Sequence, residues 1–273
     1  MKPAILHHPD FQANIAVGHR FPMGKYGLIA QYLMEDGVAH PGGFVIPEPV
    51  EFDMAAHAHD PSYVAQVFQA KVDTRITREI GFDINQSVST RARLSSGATL
   101  LAGQLALDNG LATSTAGGSH HARRNQGAGF CVFNDVAIAT ANLLSQGMVN
   151  RVLIFDCDVH QGDGTAEIFF NDHRVKTVSI HGEKNYPTRK IASDLDIGLP
   201  DGTSDQPYLE TLSSALEQSI REFQPDLVFY NAGVDPHHKD RLGRLSLSND
   251  GLEQRDRTVI VFVRERSIAL PGV

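Results

Sequence analysis

Two short, uninterrupted apolar runs constrain the fold of this 273-residue chain more than anything else in it. Residues 152–155 and 227–230 carry almost no polar side chain, and a third strand is expected at 175–180. A strand that is apolar on both faces must be covered on both, which is the situation of a parallel sheet between two layers of helix. A fourth, weaker strand is expected at 111–115. Between these runs the spacing turns helical. An Ala- and Leu-rich stretch covers 95–107, and a helix capped by Asn134 or Asp135 runs to Gly147. Residues 207–223 place Leu209, Leu212, Leu216 and Ile220 on one side, and a last helix is expected over 252–266. Repeats, low-complexity tracts and linkers are not evident. The expectation is an α/β fold, an open and mostly parallel sheet flanked by helices, forming one catalytic domain over 1–273.

Composition narrows the function. The formal charge of −8 argues against a nucleic-acid partner, which requires a basic surface. With 41% hydrophobic and 21% charged residues, the chain resembles an ordinary globular enzyme. Its two cysteines, Cys131 and Cys157, form no disulfide framework and fit a reducing compartment. The N-terminal apolar stretch is too short for a signal peptide, and no segment is long enough to span a membrane. The expected location is cytoplasmic. Oligomeric state is left open.

The chemistry-bearing residues lie just past the apolar runs, where open α/β sheets bind ligands. Asp156-Cys157-Asp158-Val159-His160-Gln161-Gly162-Asp163-Gly164 follows the first run. Asp158 and His160, two apart, face the same way in extended chain. With Asp235, from Asn231-Ala232-Gly233-Val234-Asp235, they make two carboxylates and one imidazole. Three protein ligands with an open position are the form of a catalytic metal site. Bound zinc brings the pKa of water from 15.7 to about 7. Taken singly, each aspartate is better explained as a turn or helix cap; the combined pattern favours the metal. Gly117-Gly118-Ser119-His120-His121-Ala122 adds two adjacent imidazoles suited to proton transfer at neutral pH. Asp156 and Asp163 remain free to orient them. Histidine pairs alone mean little, since His7-His8 and His237-His238 occur without such context.

In combination these segments resemble the histone deacetylase superfamily, the arginase–deacetylase fold, over nearly the whole chain from about His19. The Gly117–Ala122 segment is similar to the family's catalytic histidine motif. Gly129-Phe130-Cys131-Val132-Phe133-Asn134-Asp135 is similar to its substrate-tunnel motif. The Asp156 and Asn231 segments are similar to its metal motifs. His19-Arg20-Phe21-Pro22-Met23 with Tyr26 resembles the opening of bacterial members near class IV, and His59-Asp60-Pro61-Ser62-Tyr63-Val64 a further family element. The resemblance implies Zn2+, or Fe2+ in some settings, on Asp158, His160 and Asp235. It implies His121 backed by Asp163 as general base and acid, and His120 backed by Asp156 as mainly electrostatic. It implies a structural K+ surrounded by the main chain of Asp156, Asp158 and His160 with Ser179 and Ile180. Phe130 and Tyr186 would wall a narrow acyl-lysine tunnel, with Gly129 accepting a hydrogen bond from the substrate amide; ordinary core packing explains the two rings equally well.

The family normally carries a glycine-rich segment with a tyrosine after the final helix, whereas no tyrosine follows Tyr230 here. Losing an oxyanion donor costs about 10²–10³ in rate in other enzymes. The expectation is therefore a short last strand, a pocket open on one side and reduced activity. The reading is a zinc-dependent deacetylase acting on acetyl-lysine, an acetylated polyamine or a small amide. A catalytically impaired binding protein of the same fold is the alternative. An arginase-like dimanganese ureohydrolase fits less well, because the order Asp-x-Asp-x-His differs from the arginase pattern.

Overall fold

A computed structural model describes residues 3–39 and 42–273. Seven parallel strands form one sheet in the order β1-β2-β7-β6-β3-β4-β5. The two apolar runs are β3 (Val152–Asp156) and β6 (Leu227–Asn231), the third expected strand is β4 (Val175–Gly182), and the weaker one is β2 (Leu111–Ser114). Side chains of β3 alternate between two cores, as strand geometry requires. Val152 and Ile154 join Phe133, Leu143 and Phe229 under helices α5 (Gln86–Asn109) and α6 (Asp135–Ser145). Leu153 and Phe155 join Leu212, Leu216, Val259 and Val263 under α8 (Asp205–Phe223) and α9 (Asn249–Arg264).

The remaining strands are β1 (Ala4–Leu6), β5 (Leu195–Leu199) and β7 (Leu270–Gly272). Small helices α1 (Lys25–Glu35), α2 (Phe52–Ala56), α3 (Pro61–Phe68), α4 (Thr74–Ile80) and α7 (Asp163–Phe169) complete the chain. Expected helix starts fall late in three cases. Asn85 caps α5 through Val88 N, so the helix begins at Gln86 and not at Ser95. Ser248 caps α9 through Gly251 N, well before Leu252, and α8 begins at Asp205. No helix among the described residues is long and apolar enough to cross a membrane.

The winding positions the site. From β3 the chain moves outward to β4 and β5, then returns to the other side of β3 for β6 and β7. The carboxyl ends of β3 and β6 therefore flank a switch point, where loops diverge and leave a crevice.

Candidate metal and acid–base site

Three loops converge on that crevice. The loop after β3 supplies Asp156, Asp158, His160 and Asp163. The loop after β6 supplies Asp235, and the segment between β2 and α6 supplies His120 and His121. One donor atom each from Asp158, His160 and Asp235 lie within 4.8 Å of one another. His160 Nδ1 sits 2.9 Å from Asp158 Oδ1 and 3.1 Å from Asp235 Oδ2. Backbone donors hold the carboxylates: His160 N donates to Asp158 Oδ1 at 2.8 Å and Val159 N to Asp235 Oδ1 at 2.8 Å.

The charge balance of this cluster fits a cation. Burial and the neighbouring Asp158 carboxylate raise Asp235 to about 6. Burial opposes charge on His160, but Asp158 and Asp235 outweigh it and raise the ring to about 10. In the protein alone, a protonated His160 offsets one of the two converging carboxylate charges and leaves the other uncompensated. A divalent cation bound by the same three atoms would replace that proton.

Beside the cluster stand two Asp–His dyads. His120 Nδ1 donates to Asp156 Oδ2 at 2.6 Å, and His121 Nδ1 to Asp163 Oδ1 at 2.7 Å. All four side chains are buried. An ionised carboxylate only accepts, so each Nδ1 carries the proton and each Nε2 is left to face the crevice chemistry. The imidazoles lie side by side with centroids 4.1 Å apart, and His121 is 5.8 Å from His160. Their electrostatics differ. Burial lowers His120, but Asp156 and Asp158 outweigh it and raise the ring to about 9. Burial and the adjacent His120 lower His121 to about 4, against the pull of Asp163.

Arg123 sets one dyad apart from the other by sharing its carboxylate, and no short-range spacing in the sequence pointed to it. Its Nη2 and Nε donate to Asp163 Oδ2 at 2.7 and 3.2 Å. The guanidinium draws charge away from the carboxylate that faces His121. Burial raises Asp163, but hydrogen bonds from His121 and Arg123 hold it below the usual carboxylate range.

A second set of buried groups fixes the histidine segment. Asp135 accepts from Gly118 N at 3.1 Å, Ser119 N at 2.7 Å and Thr99 Oγ1 at 2.6 Å. Asn134 Nδ2 donates to Ala122 O and Thr165 Oγ1. His59 accepts from Asn134 N at 2.9 Å and donates to Arg123 O at 2.8 Å, which accounts for the motif it heads. Gly164 opens the first turn of α7 against this segment; a Cβ there would stand 2.3 Å from Ala122 O.

The residues expected to line a tunnel, Gly129, Phe130 and Tyr186, lie beside His121 or next to a residue that does. Gly129 has φ +54°, and a Cβ there would lie 2.6 Å from His121 Cδ2 and 3.0 Å from Tyr186 Cε1. Only glycine lets the backbone pass so close to the imidazole. Tyr186 meets His121 edge-on at 4.8 Å and is partly exposed. Phe130, also with positive φ, packs on Phe82, Phe21 and His19, so its ring is tied to the core as well as to Gly129. Ser179 aligns with Asp156 across β3 and β4; its Oγ accepts from Gly162 N and pairs with His181 Nδ1 at 3.2 Å. Ile180 is buried beside it.

The family model described as "Histone deacetylase domain" matches residues 19–271. The chain belongs to the histone deacetylase family. It is a hydrolase of the deacetylase type. It is 34% identical over 262 residues to "Histone deacetylase 2" of Arabidopsis thaliana, covering 92% of this chain and 67% of that protein. The crystal structure of an HDAC homologue from Aquifex aeolicus superposes with a TM-score of 0.86 at 22% identity, covering 100% of this chain and 79% of that one. An acetylpolyamine aminohydrolase from Burkholderia pseudomallei gives a TM-score of 0.80 at 20% identity, covering 99% and 92%. The last two likenesses establish the shared fold.

Proposed function

We propose that this family member hydrolyses the amide of acylated amines, acetyl-lysine side chains foremost, with a divalent cation on Asp158, His160 and Asp235. The carrying observation is the pair of buried Asp–His dyads set against a three-donor cluster. Zn2+ suits one nitrogen and two oxygen donors, with Fe2+ the alternative. A cation so bound supplies Lewis-acid polarisation and acidifies water at neutral pH.

The chain's own groups do the rest. His121 is neutral and buried, with Nδ1 committed to Asp163. Its Nε2 takes the proton of the attacking water as oxygen bonds to the acyl carbon. The same nitrogen then delivers that proton to the departing amine as the C–N bond breaks. His120 holds its charge beside Asp158, with Nε2 3.7 Å from Asp158 Oδ1, and stabilises negative charge developing on the acyl oxygen. Gly129 and the rings of Phe130 and Tyr186 guide the acyl-bearing chain, and the carbonyl of Gly129 accepts from the amide N–H. A K+ would be held by the main chain of Asp156, Asp158 and His160 with Ser179 and Ile180; the Asp156–Ser179 register, which brings the two segments side by side, supports this. Acetylated polyamines and small amides share the substrate chemistry, and a relative of this fold is named for the former. The two free, buried thiols support a reducing, cytoplasmic setting.

Acetate release from an acetyl-lysine peptide tests the reading. It should vanish with chelator, return with Zn2+ and be lost in His121→Ala. Undiminished turnover after exhaustive metal removal would refute it.

A further inference from the structure

A guanidinium lies beneath the two loops that carry the cluster. Arg255, from α9, is fully buried. Its Nη1 donates to Gly233 O at 2.6 Å and reaches Cys157 O at 3.4 Å, and its Nη2 donates to Ala232 O at 3.3 Å. Its Nε donates to Asp256 Oδ1 at 2.8 Å, and the same oxygen accepts from Tyr230 Oη at 2.6 Å. Cys157 immediately precedes Asp158, and Gly233 stands two residues before Asp235.

These carbonyls leave the ends of adjacent parallel strands, where the ladder no longer satisfies them, and a buried carbonyl without a donor is costly. Arginine offers five donors in a fixed fork and keeps its charge when buried, so one side chain can hold several oxygens at set positions. The loops also need holding, because they present two carboxylates to one point and like charges repel.

We propose that Arg255 is a positioning residue of the metal cradle, fixing the loop after β3 and the loop after β6 at the separation a cation requires. The inference rests on the reading that Asp158, His160 and Asp235 bind that cation. Outer partners of metal ligands matter in this way elsewhere, their loss typically costing about 10- to 100-fold in metal affinity. Asp256 and Tyr230 extend the support: the carboxylate balances the buried charge, and the phenol ties that carboxylate to β6.

The test uses the full chain, with Zn2+ and Co2+ as probes in competition with a chromophoric chelator. Arg255→Lys keeps charge and length but loses the fork. It should weaken Zn2+ binding about tenfold or more and alter the visible bands of bound Co2+. Wild-type affinity and an unchanged cobalt spectrum in folded Arg255→Lys would overturn the inference. Hydrogen exchange on the metal-free wild type gives an answer even where the variant does not fold. Amides at 157–160 and at Ala232 should be protected as strongly as the interior of α9. Protection that appears only when Zn2+ is added would overturn the proposal. Asp235→Asn is the control on the underlying reading: it should abolish binding, and equal affinity in that variant and in wild type would remove the metal assignment, and the inference with it.

Discussion

The two Asp–His dyads are built from the same parts and behave differently. Each imidazole is buried and donates Nδ1 to a carboxylate at 2.6–2.7 Å. His120 also faces Asp158, so it stays protonated. His121 is held neutral first by its burial and then by the adjacent protonated His120, while its own carboxylate is shared with Arg123. Identical pairs are given different charge states by their surroundings, which is what the proposed division of labour, one ring holding charge and the other moving a proton, requires.

The sharpest way to break this division is to remove each ring. His121→Ala should lower kcat about 10³–10⁴-fold, since in the proposed mechanism one nitrogen serves as both base and acid. His120→Ala should cost about 10- to 100-fold, the loss of one electrostatic contact. Steady-state kinetics on an acetyl-lysine peptide would show the order, and a larger loss at His120 reverses the assignment.

Stability of the metal-free protein separates the dyads by pH. His121 and His59, both lowered to about 4 from 6.5, stay neutral in the fold while the unfolded chain takes up protons. Stability should therefore fall as pH drops from 6.5 towards 4. His120 and His160, raised to about 9 and 10, retain protons that the unfolded chain has lost. Their contribution is full below 6.5 and disappears as pH climbs through 9 to 10. Each histidine changes the stability by about 1.4 kcal/mol per pH unit within its window. Denaturant titrations should place the optimum near 6.5, and Zn2+ should flatten the alkaline side. A maximum at pH 9 would contradict the charge states.

The smallest effect concerns Arg123. Arg123→Met leaves Asp163 more basic and His121 easier to protonate, so the acid limb of kcat/KM should move upward by about half to one pH unit. An unmoved limb would show that Arg123 only supports the loop.

Much of this was legible in the chain. β3 and β6 announce themselves as continuous apolar runs buried on both faces, β4 less clearly because Lys176, Thr177 and Ser179 interrupt it, and Asp158, His160 and Asp235 stand out because polar clusters follow strand ends. Other parts were not. β5 is an edge strand with alternating exposure and an internal aspartate and glycine. β7 is the short last strand that was expected, but its place was not, because Pro271 and Gly272 argue against a central strand. It is central nonetheless, because Leu270 N reaches Gly110 O and Val273 N reaches Tyr230 O around the proline. Arg123 and Arg255 escaped notice because their partners are carboxylates and carbonyls distant in sequence, which no local spacing encodes. His59 stood in a recognisable motif, but its two backbone partners are a product of the fold.

The placement of β7 bears on how the molecule assembles. Three residues join the β1–β2 pair to the other four strands. Until they insert, β2 and β6 present open hydrogen-bonding edges to whatever is nearby. Such long-range closure is slow and exposes the chain to misassociation. Renaturation yield should therefore be governed by dilution more than by time.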